Sequence, residues 1–157
     1  MTQETALLVS MLIHVPTAVG WIAFAAIEAA AITLPGMANR QRGRLIRALG
    51  WPTVVLLLVI LTTGIWQTMD NPFQPVSNWA TLEKLRDTTV YGMSLFIKHI
   101  FVFITFALSL AIRFVLAPRL QPDSDRVGGL LTAAVWLNVA ACVAALLATA
   151  RMTIQLH

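Results

Sequence analysis

Four long apolar segments divide the chain, and its polar residues concentrate in the stretches between them. The segments cover residues 6–34, 51–69, 90–116 and 128–154. Each has about the length, roughly 20 residues, that an α-helix needs to cross the hydrocarbon core of a bilayer. The pattern predicts an all-α integral membrane protein, with residues 1–157 forming one transmembrane domain. We expect an up-down-up-down four-helix bundle.

The connection between the second and third segments contains a weaker helical pattern. Residues 77–86 have the pattern of a short amphipathic helix, with Trp79, Leu82 and Leu85 on one side. We expect this helix to lie on the membrane surface, over the outer mouth of the bundle. There it can shield the edge of a bound group or dock a periplasmic partner. The alternative is an ordinary interfacial connector.

Composition supports the membrane class. Hydrophobic residues make up 58% of the chain and charged residues 11%, with a mean hydropathy of +0.77. Soluble domains carry about 25% charged residues. The net charge of +4 does not indicate nucleic-acid binding, because its source is a short basic loop after the first segment. The single cysteine, Cys142, excludes an intrachain disulfide and a cysteine-based metal cluster, and its apolar surroundings are typical of a small core residue.

Charge asymmetry predicts the orientation. Four arginines without any acidic residue occupy the loop after the first segment: Arg40, Arg42, Arg44 and Arg47. The opposite side mixes acidic and basic residues. Positive charges concentrate on the cytoplasmic side of membrane proteins, so both termini are expected outside. The first segment is too long for a cleavable signal peptide and has no basic residue before it.

Two histidines within the apolar segments are predicted to lie at the same depth. His14 is six residues from the centre of the first segment, and His99 is four residues from the centre of the third, both toward the outer side. At about 1.5 Å per residue, the rings lie roughly 9 and 6 Å above the midplane. An imidazole at membrane depth is costly unless it has a partner. Since the first and third helices are diagonal in a simple bundle, the histidines are expected to hold one group between them.

A charged pair repeats the same register. Glu28 follows His14 by fourteen residues, and Arg113 follows His99 by the same number. Fourteen residues make almost four helical turns, so each charge falls on nearly the same face as its histidine. The spacing predicts a buried ion pair that fixes the register of the two helices. The alternative is that Arg113 extends to the lipid headgroups while Glu28 lies near the interface.

Haem is the first candidate for the bound group, because its iron takes two axial ligands on opposite sides of the porphyrin. Hydroxyl, aromatic and cationic side chains suited to a haem site accompany the histidines: Ser10, Thr17, Trp21, Phe96, Phe103, Lys98, Arg86 and Arg151. A hydroxyl of Ser10 or Thr17 is expected to accept from the free ring nitrogen of His14. The aromatic rings would cover the macrocycle, and the cations would meet the propionates.

Copper is the second candidate. Met11 and His14 are three residues apart on one helix, and Met93 precedes His99 by six. Thioether and imidazole donors together suit cuprous ion. The third alternative is a cofactor-free structural subunit, in which each histidine simply forms a hydrogen bond with a neighbouring helix.

Other polar residues within the apolar segments are less specific. Asn138 and Cys142 share a face of the fourth helix, and Thr63 and Gln67 share a face of the second. This spacing favours interhelical hydrogen bonds over catalysis. We assign no role to His157.

Residues 91–120, YGMSLFIKHIFVFITFALSLAIRFVLAPRL, resemble the third helix of the copper-resistance D (CopD-like) membrane proteins. The shared features are a Tyr-Gly start, a lysine followed by an aliphatic run, and a basic cluster at the inner end. His14 followed by Trp21 is similar to the first-helix arrangement of that family. The resemblance implies a bacterial inner-membrane protein linked to copper uptake or to haem binding.

A more distant resemblance is to the HemJ-type protoporphyrinogen oxidases, which share a first-helix histidine and a third-helix lysine, here His14 and Lys98. The chain lacks their tyrosine-rich continuation with an extra histidine. Our interpretation is therefore a b-type haem protein with bis-histidine ligation. Six-coordinate iron has no open position, which favours electron transfer over stand-alone catalysis. The expected partners are the lipid bilayer and a membrane or periplasmic redox partner, or a larger respiratory complex.

Overall fold

The computed structural model describes residues 3–70, 76–120 and 125–154, and throughout these ranges the chain is helical with short connections. The described residues form six α-helices: α1 Gln3–Thr33, α2 Asn39–Ala48, α3 Gly50–Met69, α4 Trp79–Thr88, α5 Val90–Leu110 and α6 Asp125–Ile154. Four of these, α1, α3, α5 with its continuation, and α6, are long and apolar enough to cross a membrane. This confirms the prediction of a multi-pass helical protein, as far as the length and apolar character of the helices show. His157 lies outside the described residues.

The four long helices pack as a bundle with one loosely closed side. α1 lies along α3 and α6, and α5 packs extensively against α6. α1 and α5 therefore face each other across the bundle, which is the diagonal relationship expected for the two histidine-bearing helices. α3 and α5 approach each other at few points, so they are the most loosely packed pair of neighbouring long helices.

The C-terminal end of α5 changes its helical form. The chain continues from α5 as a π-helical segment, Ala111–Leu116, and then as a 3₁₀ turn, Ala117–Arg119. A π-helix carries more residues per turn than an α-helix, so it rotates the side chains that follow relative to a regular helix. Within this segment Ile112 and Arg113 are buried.

The basic segment expected as a loop is instead the helix α2. Its Gly43 and Ile46 are buried, three residues apart, on the face that packs against the 3₁₀ turn. A Cβ at Gly43 would lie 3.2 Å from the carbonyl oxygen of Ala117, so glycine permits the close approach. The expectation of a loop was wrong because two small buried contacts, rather than a long apolar stripe, hold this helix.

α4 confirms the predicted short amphipathic helix, shifted two residues along the chain. Asn78 is its N-cap, with the side-chain oxygen accepting from the backbone N–H of Thr81 at 2.9 Å. Leu82 is buried against the start of α5. At Gly92 of α5 an added Cβ would overlap the backbone carbonyl of Leu85. The two helices therefore approach as closely as their backbones allow.

Candidate cofactor site

An interior cavity of about 490 Å³ lies between the four long helices, and both His14 and His99 line it. Ligand and cofactor pockets typically measure about 300–1,000 Å³. The rest of the lining is mainly apolar and includes Met11, Trp21, Ile60, Val102 and Phe103. The structure thus brings the two predicted histidines to one interior space.

The hydrogen bonding of His14 defines its tautomer. Its Nδ1 lies 2.7 Å from the hydroxyl oxygen of Thr63 on α3. That hydroxyl donates its own hydrogen to the carbonyl of Val59 at 2.6 Å, so it accepts from the ring. In the neutral imidazole the proton is then on Nδ1, and Nε2 keeps a free lone pair. The acceptor is Thr63 in place of the expected Ser10 or Thr17.

His99 has the same tautomer for a different reason. Its Nδ1 lies 2.8 Å from the backbone carbonyl oxygen of Leu95, one turn earlier on α5. A carbonyl can only accept, so Nδ1 donates and Nε2 again keeps its lone pair. Metal-bound histidines commonly donate one ring N–H in this way, which orients the ring and makes the other nitrogen a better ligand.

The neighbours of His14 on α3 fit closely around its ring. A Cβ at Gly64 would lie 3.3 Å from Cε1 of the imidazole, so a larger residue there would press on the ring.

Ser10 is buried and accepts a hydrogen bond from the amide of Gln67 at 3.0 Å. Thr17 donates to the carbonyl of Ile13 at 2.6 Å. The interhelical role predicted for Thr63 and Gln67 is therefore confirmed.

The predicted aromatic residues divide into two groups. Trp21 and Phe103 line the cavity, Trp21 being only 4% exposed and Phe103 53% exposed. Phe96 does not line it. Its ring centroid lies 5.5 Å from that of Trp79, and the guanidinium of Arg86 lies 4.9 Å from the same ring. Phe96 therefore fixes α4 on α5 instead of forming a cavity wall.

The three cationic side chains predicted at the site lie in different places. Lys98 lines the cavity and makes no hydrogen bond or ion pair with any residue that the structure describes. Arg151 is exposed and is not part of the cavity lining. Arg86 pairs with Asp87 at 2.7 Å, and this hydrogen bond lowers the pKa of the Asp87 carboxyl. Lys98 is thus the predicted cation that reaches the site.

The buried ion pair predicted from the fourteen-residue spacing is confirmed. Nη2 of Arg113 lies 2.6 Å from Oε1 of Glu28, with both side chains at most 1% exposed. Nη1 of Arg113 donates to the carbonyl of Ser109 at 2.9 Å, and the amide of Asn138 donates to the Ser109 hydroxyl at 3.4 Å. These contacts join α1, the C-terminal end of α5 and α6, beyond the end of the cavity that is nearer to α2.

A second cavity, of about 200 Å³, lies beneath α4. Residues of α3 and α4 line it together with His99 and Phe103, which also line the larger cavity. α4 thus covers one side of the region that contains His99. The expectation that this helix lies on the membrane surface, over the outer mouth of the bundle, stays a prediction.

The fold and cavity define a multi-pass α-helical membrane protein with two histidines facing one interior space. Among the described residues, no three or more His, Cys, Asp or Glu side chains lie close enough to share a metal ion. A porphyrin brings four nitrogen donors of its own, so two protein ligands complete its iron. No family model, no curated protein and no solved structure matches the chain.

Proposed function

We propose that this protein binds b-type haem between His14 and His99 and transfers electrons in the bacterial inner membrane, alone or as a subunit of a larger respiratory complex. One observation carries the proposal. Both imidazoles line a single cavity, and each has its Nδ1 hydrogen committed to an acceptor, which leaves Nε2 available as a ligand. Haem iron, when bound, supplies reversible one-electron redox chemistry.

The residues of the chain then have distinct roles. The Thr63 hydroxyl and the carbonyl of Leu95 hold the two rings in the ligating tautomer. Trp21 and Phe103 contribute aromatic surface that excludes water from the macrocycle. Lys98 is available to an anionic edge such as a propionate. If His14 and His99 both bound the iron, no position would remain for a substrate, which favours electron transfer.

The absorption spectrum of purified protein tests the proposal. The wild-type protein should contain one haem per chain, with sharp reduced-state Soret and α bands. Both H14A and H99A should lose these bands, while H157A, the matched histidine control, should keep them. Helical circular dichroism and a single gel-filtration peak would show that each variant is folded. An unchanged spectrum in folded H14A would exclude His14 as a ligand.

A copper-handling permease is a second candidate, because Met11 lines the same cavity as the two histidines. Its thioether and the two imidazoles form a donor set suited to cuprous ion. A colourless protein that retains stoichiometric copper, and loses it in M11A, would replace the haem proposal. A protein without either cofactor would instead favour the structural subunit.

The orientation is part of the same proposal. We place both termini outside, because α2 carries four arginines and its connections on both sides lack acidic residues. Alkaline phosphatase fused to the C-terminus should be active, since the enzyme matures only outside the inner membrane. Fusion within the connection between α1 and α2 should be inactive. The opposite pattern of activity would show that both termini lie on the cytoplasmic side.

A further inference from the structure

One side of α2 carries a row of three guanidinium groups. Arg40, Arg44 and Arg47 follow each other at intervals of four and three residues, so they share one side of the helix. All three are exposed. The adjacent side of α2 is held against the bundle by Gly43 and Ile46, and Ile46 is fully buried. The arginine row is therefore carried on a docked helix, in a fixed position relative to the bundle.

The guanidinium groups of this row have no protein partners in the described part of the chain. Neither a hydrogen bond nor an ion pair involves Arg40, Arg44 or Arg47 there. Arg42, on another side of α2, instead donates to the backbone carbonyl of Leu34 at 3.2 Å. Seven residues of α-helix rise about 10 Å, so the row spans more than one phosphate-sized anion.

An exposed aromatic pair lies next to α2. Trp51, in the first turn of α3, is 73% exposed and meets Phe114 edge to face, with 6.3 Å between the ring centroids. Phe114 is 49% exposed and belongs to the π-helical segment, against which α2 also packs. Tryptophan at the end of a membrane-spanning helix is typical of the interface between headgroups and acyl chains.

We propose that this end of the bundle binds an anionic phospholipid with two phosphates, of the cardiolipin type. The arginine row holds the headgroup phosphates, because guanidinium groups pair with phosphate in a bidentate geometry. The acyl chains lie along Trp51 and Phe114. A basic surface beside apolar membrane-spanning helices is a recurrent site for such lipids. A free polyphosphate would use the arginines and leave the aromatic pair without a role.

Native mass spectrometry of the full-length protein in detergent tests the proposal with three lipids of matched acyl chains: cardiolipin, phosphatidylglycerol and phosphatidylcholine. Wild-type protein should retain cardiolipin at least tenfold better than phosphatidylcholine. The R44Q/R47Q variant should lose at least tenfold of that retention. The K84Q/R151Q variant, which removes two exposed positive charges from the opposite end, should retain cardiolipin within twofold of wild type.

Two further measurements distinguish lipid binding from binding of a soluble anion and from a general effect of net charge. W51S keeps every charge and should weaken cardiolipin retention at least threefold. If R44Q/R47Q does not fold, W51S tests the site in its place. Inorganic pyrophosphate at millimolar concentration should leave the lipid bound. Complete displacement by pyrophosphate with no effect of W51S would indicate a soluble anion site and overturn the proposal. Equal losses of cardiolipin retention in R44Q/R47Q and K84Q/R151Q would show that only net charge matters, and this result would also overturn the proposal.

Discussion

Separating the Glu28–Arg113 pair is expected to destabilise the bundle more than any loss of an exposed charge. The two groups are at most 1% exposed and 2.6 Å apart. At an effective dielectric of about 20, two unit charges at this 2.6 Å separation attract by about 6 kcal/mol. Desolvation of the two ions offsets much of this attraction, so the pair itself adds little net stability.

Removal of one partner has a different cost, because the other charge stays buried without compensation. We expect E28L and R113M each to lower the free energy of unfolding by about 3–5 kcal/mol. The double variant E28L/R113M removes both charges and leaves apolar side chains in their place. Its loss should be no larger than that of either single variant, which gives a coupling energy of at least about 3 kcal/mol.

Equilibrium unfolding in mixed micelles, with SDS as the denaturant, measures these free energies. R126M, which removes an exposed arginine at the start of α6, serves as the control and should leave the midpoint unchanged. Losses in E28L and R113M that simply add up in the double variant would show that the two charges do not depend on each other. Single losses no larger than that of R126M would refute the reasoning on burial.

The remaining predictions concern α4 and the surroundings of His14. G92A should loosen α4 from α5 and increase proteolysis near α4, because its Cβ would overlap the α4 backbone, whereas G129A adds a Cβ in open space and should behave as wild type. N78A removes the N-cap of α4 and should destabilise this helix by about 1 kcal/mol, measured as faster amide exchange in its first turn. T63V removes the acceptor of the His14 ring and should weaken haem binding about 10–100-fold in a titration of the apoprotein. T62V, which removes an exposed hydroxyl from the adjacent position, should bind haem like wild type.

The features that follow from the cost of burying polar groups in a membrane were predictable from the sequence. Four spans and the ion pair between Glu28 and Arg113 were expected because the bilayer allows few other arrangements. The fourteen-residue spacings predicted this pair correctly, although the chain changes from an α-helix to a π-helix at residue 111. Helix α2 was missed, because its Gly43 and Ile46 give too weak an apolar pattern to indicate a docked helix.

Contacts that depend on how two helices cross could not be read from periodicity. The partner of His14 is Thr63 because α3 packs beside α1 with that face inward, and no pattern within α1 indicates which neighbour this is. Phe96 was expected in the cavity with His99. It instead contacts Trp79, since α4 folds back onto the start of α5. The docking of α4 depends on Gly92, whose significance appears only when the two backbones are seen together.

The loose packing between α3 and α5 favours one route by which a bound group could reach the histidines. Phe103 of α5 lines the cavity and is 53% exposed, and on this side only the loosely packed helices α3 and α5 separate the cavity from the surroundings of the bundle. In a bilayer those surroundings are acyl chains. We therefore expect a flat apolar molecule dissolved in one leaflet to enter between these two helices after they have been inserted, without passing through water or dismantling the fold.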